Sequence, residues 1–156
     1  MKTKPNAIIF DLDGTLTDYT HRAHYIASAN RKERDWSAFF AEMGGDTPIQ
    51  EAVALAQKGR TQGYQIILLT GRPDTYLALT RHWLAQHKIP YDVLLMRPGD
   101  DWRPGEEVKA EIYTRQIAPF YDVHFAVDDN PKIISMWQKL GVKSVLVGHP
   151  SAPETF

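Results

Sequence analysis

The chain has 156 residues, of which 43% are hydrophobic, so it is long enough for one domain with a single well-buried core. Its 18 basic and 19 acidic residues leave a net charge of −1, which excludes an electrostatic nucleic-acid binder of the usual basic kind but not a local basic groove. The absence of cysteine excludes disulfides, thiol catalysis and cysteine-ligated metals.

Five short apolar runs predict the strands of one sheet. Their apolar residues follow one another without clean alternation, as in parallel strands that are covered on both faces. The runs are Ala7–Phe10, Tyr64–Thr70, Asp92–Met96, Val123–Asp128 and Lys143–Val147. We therefore expect a parallel five-stranded sheet.

Helical patterns occupy most of the stretches between these runs: Ile49–Gly59, Pro73–His87, Gly105–Ile117 and Pro131–Leu140. The first is expected to use Thr47-Pro48 as N-cap and first helical residue, and the second to begin right after a Thr70-Gly71-Arg72 turn. Gly141 ends the last one. Strands that alternate with helices predict an α/β fold, doubly wound and Rossmann-like, with right-handed crossovers.

Residues 17–47 interrupt this alternation and are predicted to form a small helical cap insert after the first strand. The segment is polar, aromatic and basic, and we expect one or two helices in it that cover the active-site edge. Its aromatic residues Trp36, Phe39 and Phe40 have two interpretations: they stack on a base, or they pack the insert onto the core. Packing is the favoured interpretation.

Nothing in the sequence divides the chain, so we expect residues 1–156 to form a single domain. It contains no internal repeat, low-complexity segment or linker. The tail, His149–Phe156, has two prolines and is expected to be loosely held. The run Ala7–Phe10 is too short for a membrane span or for the apolar region of a signal peptide, so we expect a cytoplasmic protein without a membrane partner. The sequence does not define the oligomeric state.

Two carboxylates, Asp11 and Asp13, follow the first apolar run. Because side chains alternate along a strand, both start out on one face. Gly14 then frees the backbone to turn, and Thr15 adds a hydroxyl. Two acids at the end of a buried strand repel each other unless a cation lies between them. The pattern predicts a Mg²⁺ site in which one aspartate is free to act as a nucleophile.

Further polar residues follow other predicted strands, at the edge where open α/β sheets bind their ligands. The second strand leads into Thr70-Gly71-Arg72 and the fourth into Asp128-Asp129-Asn130, while Lys109 lies on the helical stretch before the fourth. Carboxylates around one hard cation, a hydroxyl and fixed positive charges are the parts that phosphoryl transfer needs.

This set resembles the four-motif signature of the haloacid dehalogenase superfamily of phosphatases. The motifs occur in order as Asp11-Leu-Asp13-Gly-Thr15, Thr70, Lys109 and Asp128-Asp129. A lone Asp-x-Asp would be a weak signal, whereas the full set is specific. Within that superfamily, the chain is most similar to the 3′-phosphatase domain of phage polynucleotide kinases. The stretches that carry this similarity are Phe10–Thr17, Gly63–Ile67, Thr70–Arg72, Val108–Ile112, Ile117–Pro119 and Met136–Trp137.

Two further observations refine this resemblance. Arg22 falls where that domain has a basic residue after its first motif. The phosphate-loop pattern Gly-x-x-x-x-Gly-Lys-[Ser/Thr] of the kinase half does not occur, so we expect the phosphatase module without its kinase.

The resemblance implies a Mg²⁺-dependent phosphomonoesterase that works through an aspartyl-phosphate. Asp11 would be the nucleophile, and Asp13 would protonate the leaving oxygen and then activate water. Mg²⁺ would bind Asp11, the main-chain carbonyl of Asp13, and Asp129. The adjacent Asp128 stays open as an alternative ligand.

Other residues would bind the substrate. Thr70 and the backbone N–H groups near Leu12 and Asp13 would hold phosphoryl oxygens, and Lys109 would neutralise the transition state. Arg22, Gly71 and Arg72 are the candidates for binding the substrate, the two arginines beyond its phosphoryl group. The polar loop after the third strand is a further candidate for shaping specificity; it contains Arg97, Asp100, Asp101, Trp102 and Arg103.

Each of these residues also has a purely structural interpretation. Thr70 or Asp74 would cap the following helix, Lys109 would be a solvated helix lysine, and the arginines would form surface salt bridges. Asp128 and Asp129 precede Pro131 and would cap the last helix.

The substrate of the leading hypothesis is a phosphorylated nucleic-acid 3′ end. The alternative within enzymes is a nucleotide or small-metabolite phosphatase, and a phosphotransferase that uses an alcohol in place of water stays open. The alternative of a different class is a non-catalytic binding module on the same fold, against which the clustered acids argue.

Overall fold

The computed structural model describes residues 3–148, and within them the strands form the predicted parallel five-stranded sheet. The strands of this sheet are β1 (Asn6–Phe10), β4 (Gln65–Pro73), β5 (Val93–Arg97), β6 (Asp122–Asp128) and β7 (Ser144–Leu146). Their order across the sheet is β5-β4-β1-β6-β7, which confirms the predicted α/β fold. Two short segments, β2 (Thr17–Asp18) and β3 (Thr47–Pro48), pair separately as an antiparallel ribbon.

Helices cover both faces of the sheet. They are α1 (Trp36–Ala41), α2 (Gln50–Thr61), α3 (Leu77–Gln86), α4 (Gly105–Ile112) and α5 (Pro131–Lys139). Alternate residues of β1 enter two cores: Ile8 packs with residues of α2 and α3, and Ile9 with residues of α4 and α5. Helix α4 continues into a π-helical turn, Tyr113–Ile117. The doubly wound arrangement is therefore present.

Two predicted helix starts were wrong. Thr47–Pro48 does not begin a helix, because both residues pair with Thr17–Asp18 and α2 starts only at Gln50. Thr70–Arg72 is not a turn, because β4 continues through it to Pro73, which pairs with Arg97 of β5. In both places a tertiary backbone pairing overrides a local helix-start signal.

The helical residues of the segment 17–47 are mainly 3₁₀, with α1 as its only α-helix. Phe39 and Phe40 are buried in a small separate core, in which Phe39 packs against Tyr19 and Phe40 against Tyr76, and the partly buried Trp36 packs against this core. The favoured interpretation of these aromatic residues, packing rather than base stacking, agrees with this burial. The tail His149–Phe156 lies outside the described residues. Among residues 3–148, no helix has the length and apolar character to cross a membrane.

Candidate active site

Strands β1 and β6 and helix α4 bring the predicted catalytic residues to one edge of the sheet. Asp11 and Asp13 follow β1, Asp128 ends β6, and Asp129 comes next. Because parallel strands present their carboxyl ends at the same edge, these carboxylates meet there. Lys109 of α4 reaches the same place from one face, and all five side chains are almost completely buried.

A tight turn after β1 shapes this edge. The carbonyl of Leu12 accepts hydrogen bonds from the N–H groups of Thr15 at 3.0 Å and Leu16 at 2.8 Å. Gly14 adopts a φ of +85°, and a Cβ atom there would lie 2.1 Å from Oδ2 of Asp129. Only glycine therefore allows the turn to lie directly against the Asp129 carboxylate.

Lys109 joins two of the carboxylates. Its Nζ donates to Oδ1 of Asp11 and to Oδ2 of Asp128, each at 2.9 Å. Burial alone would lower the pKa of Lys109, but attraction by Asp11 and Asp128 outweighs burial and raises this pKa above its usual range. The ammonium group is therefore permanently charged, and it fixes the position of the Asp11 carboxylate.

Three carboxylates form a cluster that suits a divalent cation. Asp11, Asp128 and Asp129 each offer an oxygen, and these oxygens lie within 4.8 Å of one another. Asp128 is already engaged on both oxygens, by Lys109 and by the N–H of Asn130. Hard oxygen donors in a buried acidic cluster are the ligands that Mg²⁺ prefers, so the residues present fit this ion.

The electrostatics of the cluster also favour the binding of a cation. Burial, followed by repulsion from Asp128, raises the pKa of Asp11 to about 7. Burial, followed by repulsion from Asp11 and Asp128, raises the pKa of Asp129 to about 10. One lysine does not balance three buried carboxylates, and a bound cation would let all three ionise.

Asp13 has a different environment from Asp11. Arg72 donates to it from Nε at 2.9 Å and from Nη2 at 2.8 Å, Arg22 donates to it from Nη2, and the Thr17 hydroxyl contacts it at 3.4 Å. Although burial alone would raise the pKa of Asp13, the charges of Arg72 and Arg22 hold it well below its usual range. Asp13 is therefore an ionised carboxylate in this conformation, which differs from the expected proton-bearing acid.

A further buried aspartate, Asp46, also binds the side chain of Arg22 and lies close to that of Arg72. Arg22 donates to Asp46 from Nε at 2.7 Å and from Nη2 at 2.6 Å. Arg72 lies 3.6 Å from the same carboxylate. His21 also contacts it at 2.8 Å, and Trp83 donates to its carbonyl. Sequence reasoning missed Asp46, because no local motif marks an aspartate whose partners lie far away along the chain.

The segment Thr70-Gly71-Arg72 lies in β4 beside this network and is completely buried. The Thr70 hydroxyl oxygen accepts the N–H of Arg72 at 3.1 Å, so its proton is free to be donated elsewhere. The carbonyl of Gly71 accepts a hydrogen bond from Arg97 Nε at 2.9 Å. Because Arg97 also donates to the carbonyls of Asp101 and Arg103, this segment is connected through Arg97 to the loop after β5.

The placement of Arg22 and Arg72 differs from the expected contact with substrate. Both guanidinium groups are completely buried and face Asp13 and Asp46. Because these ion pairs are buried, they also differ from the surface salt bridges that the structural interpretation of the two arginines predicted. In this conformation the arginines act on Asp13 and do not face solvent.

The family model of the polynucleotide kinase PNKP phosphatase domain matches residues 5–150. The chain belongs to this family. The resemblance predicted from the motifs is thereby confirmed, and the chain is assigned to the phosphatases of the haloacid dehalogenase type.

Individual relatives agree with this family. A protein assigned as a bifunctional polynucleotide kinase/RNA ligase of Autographa californica nuclear polyhedrosis virus is 27% identical over 142 residues, which are 90% of this chain but 19% of that protein. A chain in the structure of the Pnkp1/Rnl/Hen1 complex is 31% identical with a TM-score of 0.80, and the match covers 96% of this chain and 48% of that one. The chain thus spans only part of these relatives.

A more distant structure shares the fold alone. The class C acid phosphatase from Bacillus anthracis is 17% identical, with a TM-score of 0.66. The match covers 96% of this chain and 69% of that one.

Proposed function

We propose that the chain is a Mg²⁺-dependent phosphomonoesterase that forms an aspartyl-phosphate on Asp11 and removes the 3′-phosphate from nucleic-acid ends. The observation that carries this proposal is the cluster of Asp11, Asp128 and Asp129, bridged by Lys109 at the carboxyl edge of the sheet. Membership in the polynucleotide kinase phosphatase family supports both the chemistry and the class of substrate.

Asp11 is the proposed nucleophile because its carboxylate is positioned by Lys109 but not held by arginines as Asp13 is. Lys109 occupies Oδ1 and the Thr15 hydroxyl lies 3.3 Å from Oδ2, so neither oxygen is held by an arginine fork. One oxygen would attack phosphorus while the leaving oxygen departs, and water would later cleave the resulting acyl phosphate. When bound, Mg²⁺ would supply positive charge against the carboxylates and the phosphoryl oxygens.

Asp13 is the proposed acid and base. Because two arginines now hold it ionised, it must gain a proton before it can protonate the leaving oxygen. We infer that an incoming phosphoryl group, which is itself anionic, repels the Asp13 carboxylate, raises its pKa and so makes its protonation easier. The base role in the second step needs no such change, because the carboxylate is already ionised.

Phosphoryl oxygens would be held by groups that surround Asp11. The Thr70 hydroxyl has a proton available to donate, and the Lys109 ammonium is fixed and charged. Groups of this kind stabilise the charge that develops in phosphoryl transfer, and removing one costs on the order of 10²–10³ in rate. Asp129 is the proposed direct Mg²⁺ ligand, because Asp128 is occupied by Lys109 and the N–H of Asn130.

A small-molecule substrate remains the second candidate because a cavity lies beside the site. Its volume is about 670 Å³, and its lining includes Gly14, Ile49, Leu55 and Gly148. Gly14 contacts Asp129, so the cavity adjoins the acidic cluster. Among the described residues that line it, Asp18 and Glu51 are acidic and none is a lysine or arginine, so the cavity disfavours an anionic group and suits an uncharged moiety such as a nucleoside.

A substrate panel tests the proposed function. We expect hydrolysis of a 3′-phosphorylated oligonucleotide with a higher kcat/KM than 3′- and 5′-mononucleotides or sugar phosphates, complete loss in the Asp11→Asn variant, and loss in excess chelator. A mononucleotide preference of about tenfold would favour the second candidate. Near-wild-type turnover by a folded Asp11→Asn variant would contradict the assignment of the nucleophile.

A further inference from the structure

Trp102 is the most exposed of the large apolar side chains in the described part of the chain, with 78% of its surface accessible. A single exposed apolar residue is common on protein surfaces and needs no explanation by itself. Trp102 differs from such residues in its place in the fold and in the hydrogen bonds that hold its loop.

Trp102 lies at the same sheet edge as the acidic cluster. It belongs to the loop of residues 98–104, which follows the carboxyl end of β5. Strand β5 pairs with β4, which carries Thr70. The loop is therefore next to the segment proposed to hold the phosphoryl group.

The loop is also firmly attached to that segment. The buried side chain of Arg97 donates from Nε to the carbonyl of Gly71 at 2.9 Å. From Nη1 it donates to the carbonyls of Asp101 at 3.0 Å and Arg103 at 2.6 Å. One guanidinium group thus fixes both chain neighbours of Trp102 and joins them to the residue after Thr70.

The side chains on either side of Trp102 are paired with each other and with α4. Arg103 donates to Asp101 from Nε and Nη2, and it forms an ion pair with Glu111 at 2.5 Å. These bonds restrain the backbone of Trp102 but leave its indole ring in solvent. A rigidly supported and exposed aromatic ring loses little further entropy when a flat ligand binds to it.

We propose that Trp102 stacks on an unpaired nucleobase of the strand whose 3′-phosphate enters the active site, an inference that rests on the proposed function. Aromatic rings bind successive bases of single strands in this way without regard to sequence. With a net charge of −1, the chain has little overall attraction for a polyanion, so stacking supplies affinity that phosphate contacts do not.

Steady-state kinetics with two substrates test this role. For each protein, kcat/KM for a 3′-phosphorylated oligonucleotide is divided by kcat/KM for p-nitrophenyl phosphate. The Trp102→Ala variant is expected to lower this ratio by at least about fivefold, which corresponds to the smallest free energy typical of one base–aromatic stack. The loss is expected in KM, and Trp102→Phe is expected to restore most of it. Phe120→Ala is the matched control, because Phe120 is 61% exposed but precedes β6 at the opposite sheet edge.

A binding experiment separates this inference from the proposed function. Affinity of the same oligonucleotide is measured by fluorescence anisotropy in an Asp11→Asn background, with and without Trp102→Ala. We expect at least about fivefold weaker binding without the indole ring. The measurement is repeated with oligonucleotides in which each of the three terminal nucleotides in turn is abasic. For one of these positions, Trp102→Ala should cause no further loss of affinity.

If the Asp11→Asn protein bound every oligonucleotide equally well with and without Trp102→Ala, the role of Trp102 would be overturned. A protein partner would then be left as the occupant of the surface around Trp102. Binding does not depend on turnover. A protein that binds the oligonucleotide through Trp102 but hydrolyses neither substrate would therefore contradict only the proposed function.

Discussion

Arg72 binds Asp13 through two parallel hydrogen bonds, from Nε to Oδ2 at 2.9 Å and from Nη2 to Oδ1 at 2.8 Å, although the two residues are 59 positions apart. The remaining nitrogen, Nη1, contacts the hydroxyl of Thr80 at 3.2 Å. The Asp13 carboxylate is therefore oriented by the plane of a guanidinium group, and the strand that carries Thr70 also determines the position of the proposed acid and base.

This relationship predicts that Arg72→Lys is not a conservative change. A lysine keeps the charge but cannot form the two parallel bonds, so Asp13 would lose its orientation. We expect kcat to fall on the order of 10²-fold, as when one preorganised electrostatic partner is removed. Thermal denaturation would establish that the variant folds.

Arg60→Lys is the matched control, because Arg60 pairs with Asp92 in a half-exposed salt bridge at 3.3 Å, remote from the acidic cluster. It should leave kcat unchanged. An unchanged kcat in a folded Arg72→Lys variant would show that the orientation of Asp13 is not needed.

The proposed acid role of Asp13 predicts an effect that depends on the leaving group. An alkoxide needs a proton as it departs, whereas p-nitrophenolate does not. We expect Asp13→Asn to lower kcat/KM by about 10²–10⁴ for a 3′-phosphorylated oligonucleotide and by much less for p-nitrophenyl phosphate. Because kcat/KM includes steps only up to departure of the leaving group, the later base role does not enter. Equal losses for both substrates would contradict the acid role.

The raised pKa values of Asp11 and Asp129 predict the pH dependence of stability without metal. Each group keeps its proton in the folded state to a higher pH than in the unfolded state, where carboxyl groups ionise near 3.8. The stability contribution is therefore complete below about 4 and is lost as pH rises through about 7 for Asp11 and about 10 for Asp129. In chelator, Tm should fall between pH 5 and pH 9.

Neutralising one member of the cluster should relieve this loss. At pH 8 in chelator we expect Asp129→Asn to raise Tm by at least ~2 °C, the shift that ~1 kcal/mol produces in a chain of this size. Added Mg²⁺ should stabilise the wild-type chain more at pH 8 than at pH 5, because the cation competes with protons. Asp122→Asn, on the exposed start of β6, serves as the control. A Tm in chelator that rises with pH over this range would contradict the electrostatic account.

The fold and the members of the acidic cluster could be predicted because they depend on local patterns. Apolar runs define the strands, and the ends of parallel strands necessarily meet at one edge. Asp11 and Asp129 could therefore be assigned to one site from the strand pattern, and Lys109, which lies on a helix, from the resemblance to the four-motif signature; the structure brings all three together.

The environment of Asp13 could not be predicted in the same way. Its ionisation depends on Arg72 and Arg22, and the position of Arg22 depends on Asp46, which is 24 residues away. Nothing in the spacing shows whether an arginine near the motifs faces substrate or a buried carboxylate. The start of α2 was missed for a similar reason, because the pairing of Thr47 with Asp18 forms only once the chain has folded.

The contact between Gly14 and Asp129 predicts that Gly14→Ala damages the site more than the fold. A Cβ atom would lie 2.1 Å from Oδ2 of Asp129 and would displace the proposed Mg²⁺ ligand. We expect weaker Mg²⁺ binding by isothermal titration calorimetry and a large loss of kcat. Part of any stability loss comes from the φ of +85°, which alanine adopts unfavourably.

Gly63→Ala separates these two effects. Gly63 has a similar φ of +93°, but a Cβ atom there would meet nothing within 4 Å. It should therefore lose a comparable amount of stability, about 1 kcal/mol or more, and keep its Mg²⁺ affinity and activity. If both variants bound Mg²⁺ equally well, the close approach of Gly14 to Asp129 would not be what shapes the metal site. A selective loss in Gly14→Ala would show that the turn after β1 positions Asp129 as well as Asp11.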